Sequence, residues 1–409
     1  MGLKTLNNIN RRLKQLTCFR LRLQCLFLIS SILFLMIIPA CEDPYWPELG
    51  EKYDNLLVVE GRISNQPGPY TVKLSHSTTL LYPKYFPLEG FEVVIEDDEG
   101  NSETLSETES GVYQTAPNGI RGITGRSYRL LLNGPDNQSY ISDFEILREP
   151  MPIDTIYTDI EYTNSDYHTF DIPGYRFFIN TQTGIEDTTY IRWQLEETYE
   201  YTSDFKIYFY YDGVLHDFSD PDSLHTCWLT EPVYEIFTAS TAGLNNTIIA
   251  DYPLHYVSFE QREISIRYSL LIKQLTLSEN AYTYWKDVAD QNTSGGEFYT
   301  SLPYQIKGNV HNVNDGDEIV LGYFEVAGED RLRVFINRPA PPQQMYYPIC
   351  ELTEGDYKEY GEMFRIKDWR EWPRYVVVDL YGNRAVPQKF CSDCREKGGK
   401  IEKPDFWID

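Results

Sequence analysis

The residues of this chain best suited to chemistry are its seven cysteines, six histidines and 62 carboxylates. Cys391-Ser-Asp-Cys394 has the spacing of a redox dithiol or half a tetrahedral zinc site. No thioredoxin-like βαβ pattern surrounds it, and a four-cysteine zinc site needs a second close pair, which Cys227 and Cys350 do not form. Cys227, Cys350, Cys391 and Cys394 are an even set, which in an oxidising compartment reads as two disulfides with three connectivities open. His216, His225 and Cys227 come nearest to a metal cluster, but their spacing fits no standard zinc pattern, and no metal or cofactor is expected. GxSxG, HExxH, P-loop and dinucleotide fingerprints are absent. Carboxylates are so common that any pair is uninformative, since glycosidase chemistry needs two at a defined separation across a bond. The unusual compositional feature is 33 tyrosines, dense at Tyr208, Tyr210 and Tyr211. A Tyr ring offers an apolar face with a polar tip, suited to a glycan or peptide ligand. It is equally a good residue for a half-exposed strand.

The remaining cysteines point to a location. Residues 1–40 carry Lys4, Arg11, Arg12, Lys14, Arg20 and Arg22, then an apolar run from Leu26 to Ile38, and end in Pro39-Ala40 before Cys41. A charged n-region, a short apolar run and a small residue at the cut describe a secretory signal. Ile38-Pro39-Ala40-Cys41 resembles a bacterial lipobox, which makes Cys41 the acylated mature N-terminus and 41–54 a lipidated tether. The competing reading is an uncleaved anchor over residues 23–40, just long enough to span a bilayer. Glu42 and Asp43 resemble a surface-export signal, so an outer-membrane protein facing either the periplasm or the cell surface is expected, with the surface favoured.

Charge narrows the partners. The full chain has 36 basic and 62 acidic residues, for −26. Residues 1–40 hold six of the bases and no acid, leaving 30 against 62 and a mature charge of −32. Nucleic-acid affinity comes from cations neutralising phosphates, so this balance excludes it.

The elements that must position these residues read as mainly β. Short strands with turn punctuation over 55–148 suggest an immunoglobulin-like β-sandwich. Residues 149–153, Glu-Pro-Met-Pro-Ile, read as a stiff linker. A larger β-rich domain follows over 154–409, with strands expected at Ile191–Glu196, Glu263–Leu270, Ile319–Val326, Arg331–Ile336 and Tyr375–Leu380. One amphipathic helix is predicted over 278–291, with Ser278 as N-cap and Ala281, Trp285 and Val288 at i, i+4 and i+7; Trp285 reads as an anchor against the sheet.

Several segments together resemble one family. They are Leu57-Val58-Val59-Glu60-Gly61, Gly68 to Ser75, Gly308-Asn309-Val310, Val320 to Phe324, and Cys391 to Arg395 with Gly398-Gly399 and Lys403 to Trp407. The chain resembles, over nearly all its mature length, the Bacteroidota lipoproteins grouped as domain of unknown function 4249. The resemblance implies an outer-membrane lipoprotein encoded beside a TonB-dependent receptor, with an accessory, non-enzymatic role in uptake. A surface adhesin or glycan-binding module is the alternative, and a hydrolase assembled from scattered carboxylates is the third.

Overall fold

A computed structural model describes residues 55–78, 85–182, 188–243, 248–294 and 306–408. The expected signal, the lipidation site Cys41 and the tether lie outside the described residues.

The protein is mainly β. Among the described residues, 22 strands form sheets of nine, six, three and four strands. The opening strand, Leu57–Ser64, buries Leu57, Val59 and Ile63 and turns Val58, Glu60 and Arg62 to the other face, the period-two pattern of a strand with two different environments. It pairs antiparallel with Thr71–His76 and parallel with Leu321–Asn337, with Val58 opposite Leu321 and Arg62 opposite Glu325. This parallel pair brings backbones so close that side chains are excluded. A Cβ on Gly322, which has φ +85°, would lie 2.0 Å from the Val59 carbonyl oxygen, and one on Gly308 would lie 1.7 Å from that of Gly322. Asn309 seals the junction, donating to the Phe324 carbonyl and accepting from the Phe324 N–H, both at 2.9 Å.

One core cluster takes Val59, Ile63, Val72, Leu74, Phe324 and Val326 from the nine-stranded sheet and Val93, Ile95, Leu130 and Leu132 from the six-stranded one. A second joins Trp193, Leu195, Tyr268 and Leu270 of the large sheet to Phe177 and Ile179 of the three-stranded sheet. Within it the Trp193 indole N–H (2.8 Å) and the Thr181 hydroxyl (2.7 Å) donate to the fully buried Gln274, so the polar atoms enclosed there are satisfied.

The expected linker is laid along the sheet. Met151 is buried; its N–H donates to Thr276 Oγ1 (3.0 Å) and its carbonyl accepts from Gln274 Nε2 (2.8 Å), while the Ile153 N–H donates to Asp330 (2.8 Å). Gly328 makes room for it, since a Cβ there would stand 2.3 Å from the Arg148 carbonyl oxygen. Residues on both sides of this segment fall in one compact unit, Tyr53–Asp409, and contribute to the same nine-stranded sheet. Elsewhere, the strand expected at Glu263–Leu270 runs instead from Arg267 to Leu277, because Ile264 is buried from a turn in which the Ser265 N–H donates to the Arg262 carbonyl. The two strands expected at Ile319–Val326 and Arg331–Ile336 are one, Leu321–Asn337.

The four downstream cysteines pair as Cys227–Cys394 and Cys350–Cys391. The tail carrying Cys394 is fastened further: the Tyr201 hydroxyl donates to the Cys394 carbonyl (2.6 Å) and accepts from the Gly399 N–H (3.1 Å). Closing a loop between residues 167 apart restricts the unfolded chain more than closing one between residues 41 apart, by chain-entropy estimates of ~5 against ~4 kcal/mol. Replacing Cys227 and Cys394 together by Ala should therefore cost more stability in denaturant titrations than replacing Cys350 and Cys391. A peptide map of the unreduced protein should show these two pairs and no Cys391–Cys394 bridge.

Candidate functional site

A cavity of about 760 Å³ lies between one face of the nine-stranded sheet and helix α1, Glu279–Ser294, a size typical of small-molecule sites. The helix starts where Ser278 predicts. Its hydroxyl accepts from the Ala281 N–H (3.1 Å) and donates to the buried carboxylate of Glu145 (2.7 Å), an acid well placed at the positive end of a helix. Ala281 is fully buried, Trp285 packs on the cluster of Leu275, Leu277 and Tyr323, and Trp285 and Val288 line the cavity. Trp285 is thus both the anchor expected and a wall of the cavity.

The cavity floor is charged. Alternation places Arg192, Gln194 and Glu196 on the face opposite to Trp193 and Leu195, and the registers set Lys273 opposite Gln194 and Arg331 opposite Lys273. Arg62 and Arg192 share one carboxylate, Glu325, each at 3.5 Å, and the Glu325 side chain is only 3% exposed. Arg62 also donates to Gln194 Oε1 (2.9 Å), and the Arg192 guanidinium lies 3.7 Å from the Trp285 ring centroid, a cation–π contact. Arg192 Nε and Glu325 Oε2 find no hydrogen-bond partner among the described residues. Burial pushes the pKa of Arg192 down; Glu325 opposes this and neighbouring Arg62 adds to it. Burial likewise lowers Lys273 and Arg333, against the support of Glu196. Along this face Arg62, Arg192, Lys273, Arg331 and Arg333 meet Glu196, Glu325 and Glu329, so cations exceed acids on a protein that is acidic overall.

The three tyrosines expected to contact ligand do not share one surface. In the strand Phe209–Tyr211, alternation buries Tyr211 (5% exposed) in a core cluster with Met363 and Val376. Tyr210 points the other way, stacked on His216 at 4.9 Å, and lines an open groove of about 380 Å³ with Phe218, Trp372 and Tyr375. Tyr208 precedes the strand and is 42% exposed. His225 bonds the Ser203 hydroxyl (2.9 Å) and Cys227 is in a disulfide, so His216, His225 and Cys227 do not converge.

A separate titratable cluster occupies the other face of Tyr190–Thr202. His255 contacts Glu197 (3.6 Å) and Glu235 (3.0 Å), and the Tyr268 hydroxyl donates to Glu197 (2.8 Å). Burial opposes the charge on His255, but hydrogen bonds to both carboxylates outweigh it and push its pKa up to about 9. Burial, reinforced by Glu197 and Glu231, pushes the nearby Glu263 up to about 7. Glu263 also lines a cavity of about 510 Å³ in which Asp204 is held by Arg262 at 2.9 Å.

Arg62, Arg192 and Glu325 escaped the reading of the sequence. Their trace is a polar or charged residue alternating with apolar ones, as in Ile191-Arg192-Trp193-Gln194-Leu195, which by itself also describes a solvated face.

These features define the class: a disulfide-bonded, mainly β protein with a charged cavity between its main sheet and one helix. Residues 42–333 match the family described as Domain of unknown function (DUF4249), and the chain belongs to that family. No curated protein matches it. The matched span ends before the Cys391–Cys394 tail, so the tail motif lies outside it.

The two raised pKa values set a pH dependence. In both cases the folded state holds a proton more tightly than the unfolded chain, so stability falls as pH rises. The Glu263 contribution is lost between about 4.5 and 7, and that of His255 between 6.5 and about 9. Melting temperature should therefore decline from pH 5 to pH 9. Glu263→Gln should flatten the lower part of that curve and His255→Gln the upper part. The His255 difference is on the order of 3 kcal/mol at pH 6 and vanishes near pH 10. Parallel curves for wild type and His255→Gln would contradict the assignment.

Proposed function

We propose that this protein is a lipid-anchored, non-enzymatic binding protein of the Bacteroidota outer membrane, partner to a TonB-dependent transporter, and that its ligand occupies the cavity between α1 and the nine-stranded sheet. The observation that carries the binding role is the cavity floor, where buried Arg192 lies on Trp285 and shares Glu325 with Arg62. Fixed polar groups beside apolar and aromatic side chains orient a ligand. Ile38-Pro39-Ala40-Cys41 supports the anchor, and the resemblance to lipoproteins encoded beside TonB-dependent receptors supports the transporter partnership.

Cys41→Ser should release the protein from the outer membrane fraction into a soluble one. Retention with its signal uncleaved would favour the anchor over 23–40 instead. Affinity purification from native outer membranes should recover a transporter with the wild type; a lipoprotein recovered alone, under conditions that preserve known complexes, would remove the partnership. Protease added to intact cells should degrade a surface-facing protein and spare a periplasmic one.

The aromatic groove supports a second reading as a glycan-binding surface, because Tyr210, Phe218, Trp372 and Tyr375 line one face on which a sugar ring can stack. Tyr210→Ala should then abolish glycan-array binding with the fold intact. Tyr211→Ala should instead cost several kcal/mol of stability, on the order of other large-to-small core changes.

A further inference from the structure

We infer that the cavity beneath α1 is an oxyanion site, taking a small ligand with a carboxylate or phosphate group at one end and an apolar or aromatic body. This deepens the binding role proposed above and rests on it.

The charge distribution at the floor is the first reason. Arg62 and Arg192 share Glu325, and Arg62 also has Glu329 within electrostatic reach, so Arg192, nine-tenths buried, has no carboxylate to itself. A buried cation without its full complement of counter-charge is costly unless a partner completes it. Both contacts to Glu325 are 3.5 Å, longer than a good charge-assisted hydrogen bond, and Nε of Arg192 and Oε2 of Glu325 remain without hydrogen-bond partners among the described residues. Glu325 is therefore stretched between two guanidiniums and saturates neither. A planar guanidinium offers paired donors that match a carboxylate or phosphate, and Arg62 and Arg192 both line the cavity, where their remaining nitrogens are the donors offered to an oxyanion.

Shape is the second reason. The Arg192 guanidinium sits over the Trp285 ring at 3.7 Å from its centroid, and Gln194 accepts from Arg62 at 2.9 Å, so the donors are in place before a ligand arrives. Apolar and aromatic side chains, Val58, Leu321, Tyr284, Trp285 and Val288, share the lining with Glu60 and Lys73. An anion with no apolar body would leave that surface wet, and an apolar molecule with no charge would leave the arginine pair unmatched.

Selectivity is the third. The mature surface carries a large excess of acid, so a cation is attracted almost anywhere on it, whereas the cavity is lined by Arg62, Lys73 and Arg192 against Glu60 and Glu325. Local sign in a cleft with low-dielectric walls, not net charge, sets what enters.

The test is calorimetric titration of the purified full chain at low salt with three probes on one ring: benzoate, phenyl phosphate and benzyl alcohol. At least one anion should bind at least tenfold more tightly than the alcohol, and the preferred anion separates a carboxylate from a phosphate ligand. Arg192→Met, which replaces the buried charge by a side chain of similar volume, should weaken the anion at least tenfold. Arg62→Gln, at a more exposed position, should do the same and serves if the first variant does not fold. Glu325→Gln should strengthen anion binding several-fold, because it removes the competing carboxylate; a merely structural role for Glu325 would weaken it. Arg370→Gln, in an exposed ion pair with Asp368, should change nothing. Equal binding of alcohol and anions, lost in Trp285→Ala, would overturn the oxyanion assignment while leaving the cavity a binding site. Binding of none of the three probes would overturn the assignment too, and unchanged transporter recovery with Trp285→Ala would then count against the cavity reading itself.

Discussion

The parallel pairing of Leu57–Ser64 with Leu321–Asn337 is the constraint on which the rest of the structure depends. Two segments more than 250 residues apart are forced into contact close enough that Gly308 and Gly322 admit no side chain, and Asn309 supplies from its amide the hydrogen bonds that a neighbouring strand would have supplied. Once that pair forms, its two faces are committed. One face carries Val59, Ile63, Phe324 and Val326 into the core shared with the six-stranded sheet. The other face carries Glu60, Arg62, Tyr323 and Glu325 towards α1. A slip of one residue would exchange the two sets, placing Arg62 and Glu325 in the apolar core. The glycines thus pin the register that keeps the cavity charged and the core dry.

Much of this was legible locally. Ser278, Ala281, Trp285 and Val288 announce a helix, and it runs Glu279–Ser294, three residues beyond the expected end. The mainly β character follows from alternation in segments such as Ile191–Glu196. What escaped is long-range. Leu57-Val58-Val59-Glu60-Gly61 and Val320 to Phe324 were visible as family segments, yet nothing in either says that they lie side by side, since a parallel partner leaves no mark on strand periodicity. The cysteine pairing was undetermined for the same reason: Cys391 and Cys394 are three apart in sequence and bond to residues 41 and 167 away. Tyr208, Tyr210 and Tyr211 were grouped because sequence proximity hides the alternation that sends Tyr210 and Tyr211 to opposite faces.

The stiff proline segment at 149–153 shows the same limit from the other side. Proline fixes the local backbone as extended, which is correct, but extended backbone serves equally for a free linker and for a strap bound to a sheet. The choice is made elsewhere, by Gly328 opening a slot and by Thr276, Gln274 and Asp330 offering bonding partners to Met151 and Ile153. That strap lies across the middle of Leu321–Asn337, at Gly328 and Asp330, so the long strand is held near Gly322 and again halfway along.

Fastening of this kind bears on the charged floor. Two guanidiniums around one carboxylate are stable only while their spacing is fixed, since any loosening admits water and lets the like charges separate. Arg62, Arg192 and Glu325 come from three strands, and the strand bearing Glu325 is the one pinned by Gly322, by the 148–153 strap and, through Phe335 against Trp407, by the tail. Trp407 belongs to the same tail that Cys394 bonds to Cys227. The disulfide-held tail therefore belongs to the scaffold that sets the spacing of Arg62, Arg192 and Glu325, although it stands far from them in sequence.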